Sequence, residues 1–330
     1  MENYDLPGRR EEITSSYPLD DLRRTLKNLY AAEAMSSLAI ENIKTDTSGL
    51  KKFVGLLENA GRENFREKSC LVGLQNNLVE PRFKESDYKG MQNYVGVTRK
   101  SHQEKVRYVC PKPNDIQELM AGLLSANEIM AGLSLPGIVH AAVVSFGFVF
   151  LHPFSDGNGR VHRLLIQNVL SLRGEIPEGV IYPVSAAMLN NFSLYEHCMD
   201  VFSKPLTDLI DYDIDDRVRL NATGETTGFD NYIDMTVQTE ALFHFVKPAV
   251  ESELAGELEF QEKYKQTRAA VLNIRAMPDR LVEIFIRARL QNDGRLSGRK
   301  RKSLFKSLTD DEALAMEKAF HDGLGSRNKQ

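Results

Sequence analysis

Apolar residues recur at helical spacing along most of the chain. From Leu19 to about Ile43, the stretch DDLRRTLKNLYAAEAMSSLAIENIK places them on one face, which predicts a helix. Similar patterns run from Leu50 to about Glu63 and on to about Asn77. The texture changes once, between Tyr94 and Val109. There YVGVT and VRYV, short β-branched and aromatic runs, flank RKSHQEK and predict a small hairpin. CPKP, residues 110 to 113, breaks the chain, Asn114 and Asp115 are expected to cap a helix, and that helix is expected to reach about Gly132. Leu135 to Leu151, LPGIVHAAVVSFGFVFL, is apolar all round and reads as a buried core helix. It is shorter than the ~20 residues that span a membrane and is interrupted by Pro136, Gly137, His140, Ser145 and Gly147. A polar glycine-rich loop follows, then a helix to Arg173 with Gly174 as its stop, and further helices over Ala186 to Phe202. Past Lys204 the chain turns acidic and then helical to its end.

This pattern predicts a mainly α protein with one small hairpin. The expected division is a loose N-terminus over 1–18, N-terminal helices over 19–80, a core over 81–205 and a C-terminal helical lobe over 206–330. Hydrophobic residues at 42% and charged residues at 27% exclude wholesale disorder. Lys plus Arg number 42 against 46 Asp plus Glu, and the net charge of −4 excludes a globally basic nucleic-acid coat. Three scattered cysteines form no CxxC and no zinc spacing, and the polar start MENYDLPGRREE has no apolar signal core. A cytoplasmic protein away from the membrane is expected.

The chemistry concentrates in HPFSDGNGRVHR, residues 152 to 163. Gly157 and Gly159 flank Asn158 immediately before a helix, so successive backbone N–H groups can converge on an anion at the positive end of the helix dipole. Arg160 and Arg163 are one turn apart on the same face. Asp156 offers a hard oxygen ligand beside the anion, suited to Mg²⁺ on a polyphosphate. His152 precedes the loop, where an imidazole can take a proton from a hydroxyl nucleophile. Phe154 would pin the loop to the core. A base, a metal ligand, an anion nest and two arginines in one short segment suit nucleotide phosphoryl or nucleotidyl transfer.

The segment resembles the complete signature of the Fic family, HPFx(D/E)GN(G/K)RxxR, and the upstream hairpin and apolar helix are similar to that family's surroundings. The resemblance covers about residues 20 to 205. It implies a helical Fic fold with a β-hairpin flap and a protein adenylyltransferase that moves AMP from ATP to a Tyr, Thr or Ser hydroxyl, releasing pyrophosphate. By resemblance His152 is the general base and Asp156 binds Mg²⁺. Gly157, Asn158 and Gly159 form the anion hole, with Asn158 reaching the α-phosphate, and Arg160 and Arg163 hold the outer phosphates. Asn190, Asn191 and Tyr195 are expected on the adenine side, with Asn191 as the ATP contact. Gly159, where phosphate-transferring members usually carry Lys, favours AMP transfer. The flap, 95–109, is expected to receive the target protein as an added strand.

Ser37 to Asn42, SLAIEN, resembles the family's inhibitory motif (S/T)xxxE(G/N). By that resemblance Glu41 pairs with Arg163, competes with the ATP γ-phosphate and restrains the enzyme. Self-modification or a change of homo-oligomer is the expected release, and removal of AMP by the same site is an alternative. The basic run RKRKSLFK near the C-terminus leaves open a second alternative, a DNA- or partner-binding module with a dormant core.

Overall fold

The computed structural model describes residues 5–15, 17–44, 46–98, 104–215, 219–224, 226–292 and 296–325. Helices dominate, as expected. In chain order they are α1 (Leu6–Ser15), α2 (Leu19–Ile40), α3 (Thr47–Asn59), α4 (Lys68–Leu78), α5 (Pro113–Ala131), α6 (Gly137–Leu151), α7 (Asn158–Leu172), α8 (Val184–Asn190), α9 (Phe192–Leu209) and α10 (Thr236–Pro248). A π-helical stretch, Ala249–Leu254, leads into α11 (Ala255–Ile274), α12 (Asp279–Gln291), α13 (Gly298–Ser303) and α14 (Asp310–Leu324). The expected hairpin is β1 (Tyr94–Thr98) with β2 (Glu104–Val109), antiparallel, with an irregular register between Val95 and Gly96. The centre of its tip, residues 99–103, lies outside the described residues. A second hairpin, β3 (Tyr212–Ile214) with β4 (Leu220–Ala222), has only three residues per strand and was not legible in the sequence.

The chain forms two compact units, one of residues 1–15 and 26–254, the other of 16–25 and 255–330. The boundary expected near 205 therefore falls inside the first unit. The reason is burial: Leu242, Phe245, Val246 and Val250 join Phe146, Val149, Phe150, Ile166, Val169 and Leu170 in one core. Residues 6–15, expected to be loose, form helix α1, and its Ile13 packs on the same core.

Helix α6 is buried almost throughout, which explains its unbroken apolar texture, and it is the central element against which α5, α7 and α10 pack. No helix among the described residues is long and apolar enough to cross a membrane. Helix α7 buries Val161, Leu164, Leu165 and Val169, the residues expected to anchor it. It ends as expected: Gly174 takes φ 75, and the N–H groups of Gly174 and Glu175 return to the carbonyls of Ser171 and Leu170. Pro113 opens α5, with Lys112 at the cap position, so the cap expected from Asn114 and Asp115 is not used.

In the second unit, Val271, Val282, Phe285, Ile286, Phe305, Met316 and Phe320 form a separate core. Thr309 and Glu312 cap α14 reciprocally. Part of the basic run is structural here: Arg301 donates to the carbonyls of Phe305 and Leu308.

Candidate active site

Helix α6 terminates at His152, which adopts left-handed φ 50 and ψ 56 and returns its backbone N–H to the carbonyl of Phe148. That turn swings the chain into the loop 153–157 and fixes the imidazole. Nδ1 lies 3.0 Å from the carbonyl oxygen of Val149, so Nδ1–H donates and Nε2 keeps its lone pair. Burial, reinforced by the Lys89 charge, lowers the His152 pKa from 6.5 to about 4. The ring is therefore neutral near pH 7 and able to accept a proton.

The loop is tied down from several directions. Phe154 is fully buried between Tyr88 and Phe148, the pinning role expected of it. Gln75 donates to the carbonyl of Asp156 at 3.1 Å, and Glu85 accepts from the backbone of Ser155 at 2.7 Å. Asn93 donates to the carbonyls of His152 and Phe154 at 3.2 and 2.9 Å and accepts from the Lys89 ammonium at 2.6 Å. Lys89 is itself buried, which lowers its pKa to about 8. Neither Lys89 nor Asn93 carries a spacing signal, because they reach the loop only through tertiary packing.

Gly157, at φ 90, turns the chain into α7, and a Cβ there would lie 2.8 Å from Val79 Cγ1. The Asn158 side chain bonds both ways with the Phe154 backbone, at 3.0 Å through Oδ1 and 2.7 Å through Nδ2. Its amide thus holds the loop closed while Asn158 also lines the neighbouring cavity. The first N–H groups of α7 remain the donors that an anion would meet.

Arg160 and Arg163 are both buried, and Glu41 joins them. Glu41 Oε1 accepts from Arg163 Nη2 at 2.5 Å, and Oε2 accepts from Arg160 Nε at 3.0 Å. The sequence resemblance implied the first pairing alone. Arg160 also donates to the carbonyl of Leu78 and to Asp156 Oδ1, at 2.6 and 2.8 Å, so all its nitrogens are engaged. Arg163 donates to Ser37 Oγ at 2.7 Å and to the Ser37 carbonyl at 2.9 Å. The SLAIEN segment acquires a physical logic here. Asn42 takes φ 55, and the N–H groups of Asn42 and Ile43 return to the carbonyls of Ala39 and Leu38, a left-handed helix stop that glycine or asparagine suits. This stop ends α2 with Glu41 aimed at α7. Gly159 makes room for it, since a Cβ there would lie 2.3 Å from Glu41 Oε1.

These groups border a cavity of about 430 Å³ lined by Glu41, His152, Asp156 to Gly159 and Arg163, by Tyr94 to Gly96 of β1, and by α9. From α9 come Phe192, Tyr195, Glu196, Met199, Asp200 and Ser203. Tyr195 is placed as expected. Asn191 is not: it sits at the break between α8 and α9, exposed, and is absent from the lining, as is Asn190, which bonds to Glu253. The break resets the helical phase, so the inward face of α9 begins at Phe192. Arg107 of β2 bonds to Glu196 at 2.6 Å and to Asp200 at 3.0 Å, fastening the hairpin to α9.

Asp156 is the one carboxylate of the loop, and among the described residues no group of three or more His, Cys, Asp or Glu side chains gathers to hold a metal. That donor set fits Mg²⁺, which usually takes one or two carboxylates and completes its shell with water and substrate phosphates.

Residues 74–170 match the model of the Fic/DOC family. Protein adenylyltransferase Fic of Culex quinquefasciatus is 25% identical over 201 residues, covering 53% of this chain and 39% of that protein. The Aedes aegypti protein of the same name is 39% identical over 96 residues, 29% of this chain and 17% of its own. A solved Fic-domain-containing signalling protein from Bacteroides thetaiotaomicron superposes with a TM-score of 0.51 at 19% identity, covering 78% of this chain and 94% of that one. The fold is mainly helical, and residues 74–170, which carry the site loop, are similar to a Fic/DOC-family domain. It spans well under half the length of the curated relatives it matches.

Proposed function

We propose that this protein is an adenylyltransferase that moves AMP from ATP to a hydroxyl of a protein, restrained by Glu41. The observation that carries the reading is the placing of a neutral His152, with Nε2 available, on the wall of the cavity that also holds the N-terminus of α7 and Arg163. In the reaction, Nε2 takes the hydroxyl proton as the oxygen bonds to the α-phosphorus. The bond from that phosphorus to the bridging oxygen breaks, and pyrophosphate leaves with the electron pair. The α7 N–H groups and Arg163 stabilise the charge that builds on the phosphates. Asp156 would hold Mg²⁺, which supplies charge neutralisation on the polyphosphate when bound.

Strand β1 supports the docking reading of the flap. It pairs only with β2 among the described residues and borders the cavity, so its other edge is available to an extended target segment. Glu41 supports restraint, because it holds Arg163 on the cavity wall, whose donors phosphates would otherwise take. Displacing it frees those donors.

Intact-mass spectrometry after incubation with ATP and Mg²⁺ tests the reading on wild type, Glu41→Gly and Glu41→Gly/His152→Ala, with a lysate present as a source of targets. AMP added by Glu41→Gly and lost with His152→Ala is the expected result. Phosphate instead of AMP, or AMP transfer that survives His152→Ala, would overturn it.

A further inference from the structure

Helix α6 serves two cavities. Val149, Phe150 and His152 face the one described above, whereas Gly147 and Leu151 line a separate cavity of about 890 Å³. Helix α5 and the segment 230–236 leading into α10 complete its walls. The size falls within the ~300–1,000 Å³ usual for small-molecule sites. Its walls are mostly apolar, with Leu119, Leu123, Val139 and Ile233 among them.

The charges on this lining are all of one sign. Glu118, Asp230 and Asp234 contribute carboxylates, and among the described residues no Lys, Arg or His lines the cavity. Asp230 differs from the other two because it is only 8% exposed. Among the described residues no hydrogen bond or ion pair ends on its carboxylate. Lys89 attracts it through charge without a hydrogen bond to it, and one N–H of that ammonium donates to Asn93. Burial raises the Asp230 pKa to about 7, the mark of a carboxylate removed from water without a compensating donor. Asp230 is not one of the fully buried unpaired polar groups, so its oxygens keep a little open surface on the cavity wall, where an entering cation can reach them. Tyr232 stands on the lining, fully exposed and at φ 58, a conformation uncommon for a bulky side chain and frequent where a ligand is clamped.

We infer that this cavity binds a small organic cation with an apolar body, an alkyl or arylalkyl amine whose ammonium pairs with Asp230 and whose hydrocarbon lies between α5 and α6. This site is separate from the transferase cavity and does not depend on the reading of that cavity.

The test uses the full chain with 4-phenylbutylamine as probe and 4-phenylbutanol as its neutral counterpart, followed by calorimetry and by chemical-shift changes of the Leu119, Leu123 and Ile233 methyl groups. The amine is expected to bind at least about tenfold more tightly than the alcohol, and Asp230→Asn to erase that preference. Gly122→Val should block both probes, since Gly122 lines the cavity, a Cβ there meets nothing within 4 Å, and the added side chain takes up cavity space. Should Asp230→Asn fail to fold, the amine–alcohol comparison on wild type and the Gly122→Val block still decide. Equal binding of amine and alcohol, amine binding indifferent to Gly122→Val, or no methyl shift in the millimolar range overturns the inference.

Discussion

The Glu41 carboxylate meets the Arg163 guanidinium at 2.5 Å across 122 positions of sequence, and the same carboxylate reaches Arg160. Two buried cations on one helix thereby share one anion from another. Each arginine is 2 to 4% exposed and Glu41 is 22% exposed, so the pair is shielded from solvent far better than a surface ion pair.

Removing that anion leaves two buried charges underpaired. Glu41→Gly is expected to lower stability by about 2 kcal/mol, less than for a fully buried pair because Ser37, Leu78 and Asp156 keep their bonds to the arginines. If phosphates take the vacated donors, ATP will raise the melting temperature of Glu41→Gly more than that of wild type. Thermal scans with and without ATP measure both effects, and an equal ATP shift in the two proteins would count against competition at Arg163.

In the proposed transfer, the depressed pKa of His152 sets the acid limb. A base must be neutral, and His152 is neutral at all pH values well above about 4. Transfer by Glu41→Gly should therefore hold its rate as pH falls from 7 towards 5 and decline only as pH drops through about 4, read from initial rates under conditions where the fold persists. A limb near 6.5 would mean that the ring is not held as buried and neutral as the structure places it.

Glu33 lies on α2 two turns before Glu41, 1% exposed, accepting from the backbone and hydroxyl of Ser185 at 2.7 and 2.6 Å. Burial raises its pKa from 4.5 to about 7. The folded state therefore holds the proton more tightly than the unfolded state, and this group's contribution to stability falls as pH rises from about 4.5 to about 7. The full effect is roughly 3 kcal/mol. His140, His152 and His162, lowered to about 4, 4 and 3, act in the opposite sense and weaken the fold as pH falls below 6.5. Denaturant titrations of wild type and Glu33→Gln across that range isolate Glu33 in their difference, which should shrink the loss on the rising side.

Arg107 fastens β2 to α9 through Glu196 and Asp200 and is one-third exposed. Arg107→Ala should cost about 1 kcal/mol of stability. Its larger effect should be local: faster amide hydrogen exchange in 104–109 with little change in α6 and α7. Uniform acceleration across the core would show that the hairpin is not a separately opening part.

Much of the candidate site was legible because its residues are contiguous. Residues 152 to 163 need only one helix end, one turn and one helix start to bring His152, Asp156 and Arg163 together, and local chemistry dictates all three. The SLAIEN segment was legible through resemblance, and the helix stop at Asn42 is what aims its Glu41 at α7. Asn191 was misplaced because a break in the helix between α8 and α9 changes which side faces inward, and no composition signal marks that phase. The second hairpin escaped notice because three-residue strands carry too little alternation to register.

The sequence by itself determined the helical character, the buried nature of α6, the glycine turn into α7 and the types of group gathered beside it, since each depends on neighbours a few residues apart. Only the tertiary structure decided that Glu41 takes both arginines, that Asn158 closes the loop, that Lys89 and Asn93 brace it, and that α9 rather than Asn191 supplies the cavity wall. Those outcomes depend on which surfaces exclude water together. Burial turns Lys89, Glu33 and Asp230, ordinary charged residues in a one-dimensional reading, into groups with displaced pKa values, and no spacing rule records how deeply a side chain will be covered.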